Sequence, residues 1–185
     1  MVEGQQTGWE VTNMPSVSQQ RTIPEVMRSL SGMESPDYSD LFTVTIKGAL
    51  DASPEQWART AVEDVAGRGG QFIWRRVLGL RLTSRPGRVG GWKIADRGEK
   101  WIRLEASSWF LTAHLVTRVG DGQLSAGTFI RYDHPIAPFV WVPASAIHRH
   151  LMPGLLEQTV RRRRRRSESA GQETHDRTAS PEGGQ

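Results

Sequence analysis

Between Val89 and Asp133 the chain is broken by turns of only two or three residues, and this limits its possible folds more than any other feature. Asp96-Arg97-Gly98 and Gly120-Asp121-Gly122 are the clearest of these turns. A parallel neighbour needs a crossover of a dozen residues or more, so segments joined by such short links pair antiparallel. The segments themselves alternate as strands do. Gly90, Gly91 and Trp92 to Ala95 begin the run. In Trp101 to Ser107, residues Ile102, Leu104 and Ala106 share one face, while Arg103 and Glu105 share the other. Trp109 to Val119 puts Trp109, Leu111, Ala113 and Leu115 together, and Gln123 to Asp133 does the same with Ala126, Thr128, Ile130 and Tyr132. The expected result is an antiparallel meander with one apolar face.

The flanking segments supply what covers that face. Phe42, Val44 and Ile46 alternate with Thr43, Thr45 and Lys47, a half-buried strand. A helix then begins at Ser53 as N-cap, with Pro54 at the first helical position and Gln56 at the capping-box position. Trp57, Ala61 and Val65 recur every four residues beside Ala58 and Val62, and Gly67, Gly69 and Gly70 are expected to end this helix. A second short helix is predicted from Gln71 to Leu78. After the meander, Ala144 to Val160 reads as a helix with the apolar stripe Ile147, Leu151, Leu155 and Leu156, kinked or restarted at Pro153. The order strand, two helices, meander, long helix gives an α+β class. No internal repeat is visible.

A length of 185 residues suits one domain. Residues 1–20 lack apolar periodicity and read as a disordered tail. Residues 21–160 form the domain, opening with an amphipathic turn that carries Ile23, Val26, Met27 and Leu30. Residues 161–185 read as a tail, first basic and then acidic, also disordered. The net charge of +4 is uneven, because Arg161, Arg162, Arg163, Arg164, Arg165 and Arg166 alone add six positive charges. The high pI therefore says little about the folded part. There is no cysteine, which excludes disulfides, thiolate nucleophiles and thiolate zinc sites and fits a cytoplasmic location. No stretch has the ~18 apolar residues of a membrane span, and the start lacks the basic and apolar regions of a secretory signal.

Several local phrases carry a resemblance: Asp37-Tyr38-Ser39-Asp40-Leu41-Phe42, Glu55-Gln56-Trp57-Ala58-Arg59, Leu78-Gly79-Leu80-Arg81-Leu82, Gly91-Trp92, Thr128-Phe129-Ile130-Arg131-Tyr132, and Trp141 with Pro143 and His148-Arg149. In this order, across Asp37 to Leu156, the chain resembles a bacterial family of unknown function in the START-like, polyketide-cyclase-like (SRPBCC, helix-grip) superfamily. The resemblance implies a curved antiparallel sheet packed around a long C-terminal helix. It also implies a cavity between them for an apolar small molecule or lipid. No cofactor is expected. That family has no established catalytic residues to carry over. A binding module is the first expectation, and a polyketide cyclase or hydratase using the same cavity is the alternative.

Strand parity points Trp109, Ala113, Thr128, Ile130 and Tyr132 inward, as candidates to line the cavity. Trp92 and the stripe Ile147, Leu151 and Leu155 would close its other side. Thr128 and Tyr132 could orient a ligand, or the whole set could simply fill the core. The seven tryptophans suit a small core that needs large apolar bodies.

No metal site is expected. His148 and His150 diverge by about 200° on a helix, His114 takes the outer sheet face, and His134 lies in a loop before Pro135. His148 is expected to bond a nearby loop carbonyl. Glu105 and Asp133 share a face with Arg103, Arg118 and Arg131, which predicts ion pairs across a solvated surface. There is no nucleophile-elbow or phosphate-loop phrase. The six arginines could bind an anionic membrane or a nucleic acid, or extend the last helix into solvent.

Overall fold

A computed structural model describes residues 16–46 and 52–178. Seven strands form one sheet: β1 (Val17–Gln19), β2 (Tyr38–Thr45), β3 (Arg88–Val89), β4 (Trp92–Gly98), β5 (Trp101–Ser107), β6 (Leu111–Gly120) and β7 (Gln123–Tyr132). The strand order is β1-β2-β7-β6-β5-β4-β3, with every pair antiparallel. The meander is thus present, and β2 returns to pair with its last strand. Helix α1 (Glu25–Ser31) lies on the outer face, against β6 and β7. The inner face is covered by α2 (Pro54–Arg59), α3 (Gly67–Phe72) and the long α4 (Ala137–Thr178). This is the expected α+β, helix-grip arrangement.

The start of α2 follows from its sequence. Gln56 N donates to Ser53 Oγ at 3.2 Å, and Ser53 N donates to Gln56 Oε1 at 3.0 Å, so two orphan donors are met reciprocally. The helix then widens into π turns over Thr60–Val65, and α3 does likewise over Ile73–Val77. The glycines expected to end α2 instead sit inside α3. Gly67, at φ 47°, interrupts the path, and Gly70 leaves room for the Trp74 ring, which a Cβ would crowd. That ring reaches Trp92, edge to face at 5.5 Å.

Other boundaries also differ from expectation. Asp96 to Gly98 continues β4 past a register shift at Ile94/Asp96. Val17–Gln19 is a strand paired to β2, so the folded part begins before residue 21; residues 1–15 lie outside the description. The last helix begins at Ala137, seven residues before the predicted start, and holds both Pro143 and Pro153. Residues 161–178 continue α4, so Arg161 to Arg166 extend the last helix, one of the readings the run allowed, and the helix runs on through the segment from Ser167 that reads as a disordered tail.

Three apolar clusters result. One joins Trp92, Ile102, Leu104, Ala113, Ile130 and Trp141 on the inner face. A second, also inner, joins Phe42, Val44, Trp57, Leu124, Met152 and Leu156. The third, with Met27, Leu41, Val116 and Phe129, lies under α1. Leu41 is therefore buried along with Phe42, and β2 is covered on both faces rather than half-buried. Under α1, Arg103 bonds Glu105 at 3.1 Å and donates to Leu30 O at 3.2 Å. The outer ion pairs Arg103–Glu105 and Arg131–Asp133 run along strands, not across them, and the first is largely buried.

Candidate functional site

Between the two inner clusters lies a polar layer. Each contributing element passes from apolar to polar and back. On β2 the inward residues are Tyr38, Asp40 and Phe42, on β7 they are Ile130, Thr128 and Ala126, and Asp40 and Thr128 are direct cross-strand partners. On α4, Trp141 belongs to one cluster and Met152 to the other, with Ser145 and His148 between them.

Asp40 is 4 % exposed and Thr128 3 %. Tyr38 Oη donates to Asp40 Oδ2 at 2.6 Å. His148 Nε2 lies 3.1 Å from the same oxygen and 3.2 Å from Thr128 Oγ1. A carboxylate oxygen is the stronger acceptor of the two, so Nε2–H donates to Asp40 Oδ2. In the neutral ring this leaves the lone pair on Nδ1. Burial, then the bond to Asp40, push the Tyr38 hydroxyl well above its ordinary range, so it stays a donor. Arg149 closes the solvent side. Its Nη1 lies 3.3 Å from both Tyr38 Oη and Ser145 Oγ, and its guanidinium sits 5.9 Å from the Tyr38 ring centroid. Trp141 packs edge-on to Tyr38 at 5.2 Å and tilted to His148 at 6.0 Å.

Two buried polar atoms at this layer have no hydrogen-bond partner among the described residues: Asp40 Oδ1 and Trp141 Nε1. A lone buried acceptor costs about 1–3 kcal/mol, more when charged. One acceptor and one donor, set in an apolar wall, are what a small-molecule site requires to fix a ligand's orientation. Open depressions beside α3 are less suited. Two of the arginines that line them are engaged, Arg75 by Gln71 at 3.0 Å and Arg88 by Gly91 O at 3.3 Å.

The residues expected to line a cavity separate into three groups. Trp92, Ala113, Thr128 and Ile130 are buried on the inner face, and Tyr132 is half-buried beside them. Trp109 does not point inward. Ser108 Oγ accepts from Phe110 N and Leu111 N, closing a turn that puts Trp109 at its tip, 61 % exposed, while Phe110 takes the core position. Ile147 and Leu151 are 58 % and 51 % exposed, because α4 turns its Trp141, Ser145, Met152 and Leu156 line to the sheet; Leu155 is half-buried.

His148 bonds Asp40 instead of the expected loop carbonyl. Tyr38, Asp40 and Ser145 did not emerge from the sequence reading. Yet the Phe42, Val44 alternation puts Asp40 on the inner face, where a carboxylate in an apolar strand is a usable signal. Among the described residues, no three His, Asp or Glu side chains converge as a metal site would require.

Of the six arginines, Arg163 stacks on Trp57 at 5.9 Å and Arg166 pairs with Asp64 at 2.8 Å, which ties α4 to the inner helices. Arg161 pairs with Glu157 and Arg164 with Glu168, and Arg162 and Arg165 are exposed. No helix among the described residues is long and apolar enough to cross a membrane.

Comparison with protein-family models, curated proteins and solved structures finds no match for this chain.

Proposed function

We propose that the protein is a START-like binding module for a mainly apolar small molecule or lipid that carries one hydrogen-bond donor. The donor meets Asp40 Oδ1, the apolar body lies along Trp141 and the inner sheet face, and entry is past Tyr38 and Arg149. The observation that carries this reading is the unpartnered oxygen of a carboxylate only 4 % exposed. Tyr38, Thr128 and His148 hold the carboxylate in place through its other oxygen and through His148. A carboxylate held this way is already oriented, and because Oδ1 is itself buried, a ligand reaches it only as the side chains of Tyr38 and Arg149 move aside.

A second reading, an enzyme of the cyclase or hydratase kind, rests on the 3.1 Å contact between His148 and Asp40. A carboxylate that accepts a hydrogen bond from one ring N–H fixes the tautomer and orients the other nitrogen as a base. In that reading, ligand bound beside Nδ1 would lose a proton to it.

The test is native mass spectrometry of protein purified gently from its own host, followed by solvent extraction. A stoichiometric adduct that extracts unchanged as an apolar molecule bearing a hydroxyl or amine supports the binding module. Conversion of the extracted molecule on incubation with fresh protein, lost in His148→Gln, would favour the enzyme. A bare mass in repeated preparations would leave the layer a structural feature.

A further inference from the structure

Helix α4 carries a second apolar line that the fold does not use. Turned away from the buried residues Trp141, Ser145, Met152 and Leu156, it runs through Pro143, Ile147 and Leu151 at spacings of four, with Ile136 just ahead of the helix. Ile147 and Leu151 are more than half exposed, Ile136 is 42 % exposed, and Phe139 and Val142 beside the line reach 79 % and 60 %. Counted at 100° per residue, the exposed apolar side chains from Val142 round to Leu151 cover about half of the helix circumference. Trp109 extends the patch beyond the helix. Its ring lies 5.0 Å from that of His134, two residues before Ile136, and it is 61 % exposed.

The same line continues into cationic residues. Arg162 and Arg165 project within about 40° of the Ile147–Leu151 direction, about 16 and 21 Å beyond Leu151 along the axis. Neither makes an ion pair among the described residues, whereas Arg163 and Arg166 are held against Trp57 and Asp64.

We propose that this face of α4 docks on an anionic lipid bilayer. Phe139, Ile147 and Leu151 enter the interfacial zone, Trp109 sits at headgroup level, and Arg162 and Arg165 meet lipid phosphates. The apolar part decides against a nucleic acid, because a phosphate backbone gains nothing from isoleucine, leucine and phenylalanine side chains. The width of the patch decides against a helical partner. A helix–helix seam is a narrow stripe, whereas half a circumference plus an off-helix tryptophan suits a planar medium. An apolar line followed by arginines, all facing one way, is complementary to an anionic membrane surface in both of its properties.

The experiment is co-sedimentation of the full chain with vesicles of phosphatidylglycerol and phosphatidylcholine in equal parts, and with phosphatidylcholine alone. The chain is expected to sediment with the mixed vesicles, much less with phosphatidylcholine, and to lose binding as salt is raised. The double variant Arg162→Ser/Arg165→Ser is expected to bind roughly thirtyfold more weakly. The double variant Ile147→Ser/Leu151→Ser should lose at least tenfold. All four side chains are exposed, so both variants should keep the wild-type melting curve. Three results would each overturn the proposal: no sedimentation with the mixed vesicles; equal binding by the serine-for-apolar variant; or a self-associated chain that the apolar substitutions dissociate. A fourth is duplex DNA binding as tight as vesicle binding and unchanged in Ile147→Ser/Leu151→Ser.

Discussion

Asp40 is a carboxylate held among Tyr38, Thr128, His148 and Trp141, and most of what keeps it tolerable goes to one of its two oxygens. Replacing Tyr38 by Phe removes a bond to a charged acceptor and should destabilise the fold by about 1.5–3 kcal/mol, read from the urea midpoint. His114 offers a test on the outer face. Its Nδ1 lies 2.6 Å from Ser31 O, and burial holds its pKa below the ordinary 6.5, outweighing that bond and Glu105. Arg103 and Arg131 add to the lowering. In the window between the folded value and 6.5 the unfolded chain binds more protons, so stability should fall as pH drops through that window. Urea midpoints measured on both sides of it should show the fall, and His114→Gln should flatten it. At this scale, parity alone makes the inner face of β7 legible, Thr128 and Ile130 included. Trp109 was misplaced because the Ser108 side chain starts a turn that alternation cannot see, leaving Phe110 to take the core.

Elements were legible where their signals are local. Ser53, Pro54 and Gln56 announce α2, and Ser53→Ala should cost about 1 kcal/mol by denaturant titration, since it leaves the N–H of Gln56 unmet. Where a tertiary contact overrides a local preference, the reading failed. Gly69 and Gly70 look like helix terminators, but α3 runs through them so that Trp74 can lie over Gly70 and reach Trp92. The predicted stripe of α4 was similarly wrong in angle. Ile147, Leu151 and Leu155 are regular, but Trp141, Met152 and Leu156 form an equally regular line, and only the sheet decides which is buried. The arginine run reads as solvated by composition, yet Arg163 covers Trp57. Arg163→Ala should lower stability by about 1 kcal/mol through the lost stacking and stem packing.

For the molecule as a whole, the inner face of the sheet holds two apolar clusters divided by one polar layer. A continuous apolar core would pack without an unmatched carboxylate, and such replacements are often neutral or stabilising. That asymmetry gives the account its central test: the layer should matter for a ligand more than for the fold. Asp40→Asn keeps the shape of the side chain and removes its charge. The deciding measurement is native mass spectrometry of wild type and Asp40→Asn, purified side by side from the same host. The account expects an extractable adduct on the wild type and its loss in the variant, with melting temperatures within a few degrees of each other. An adduct of the same mass and occupancy on both proteins would contradict it.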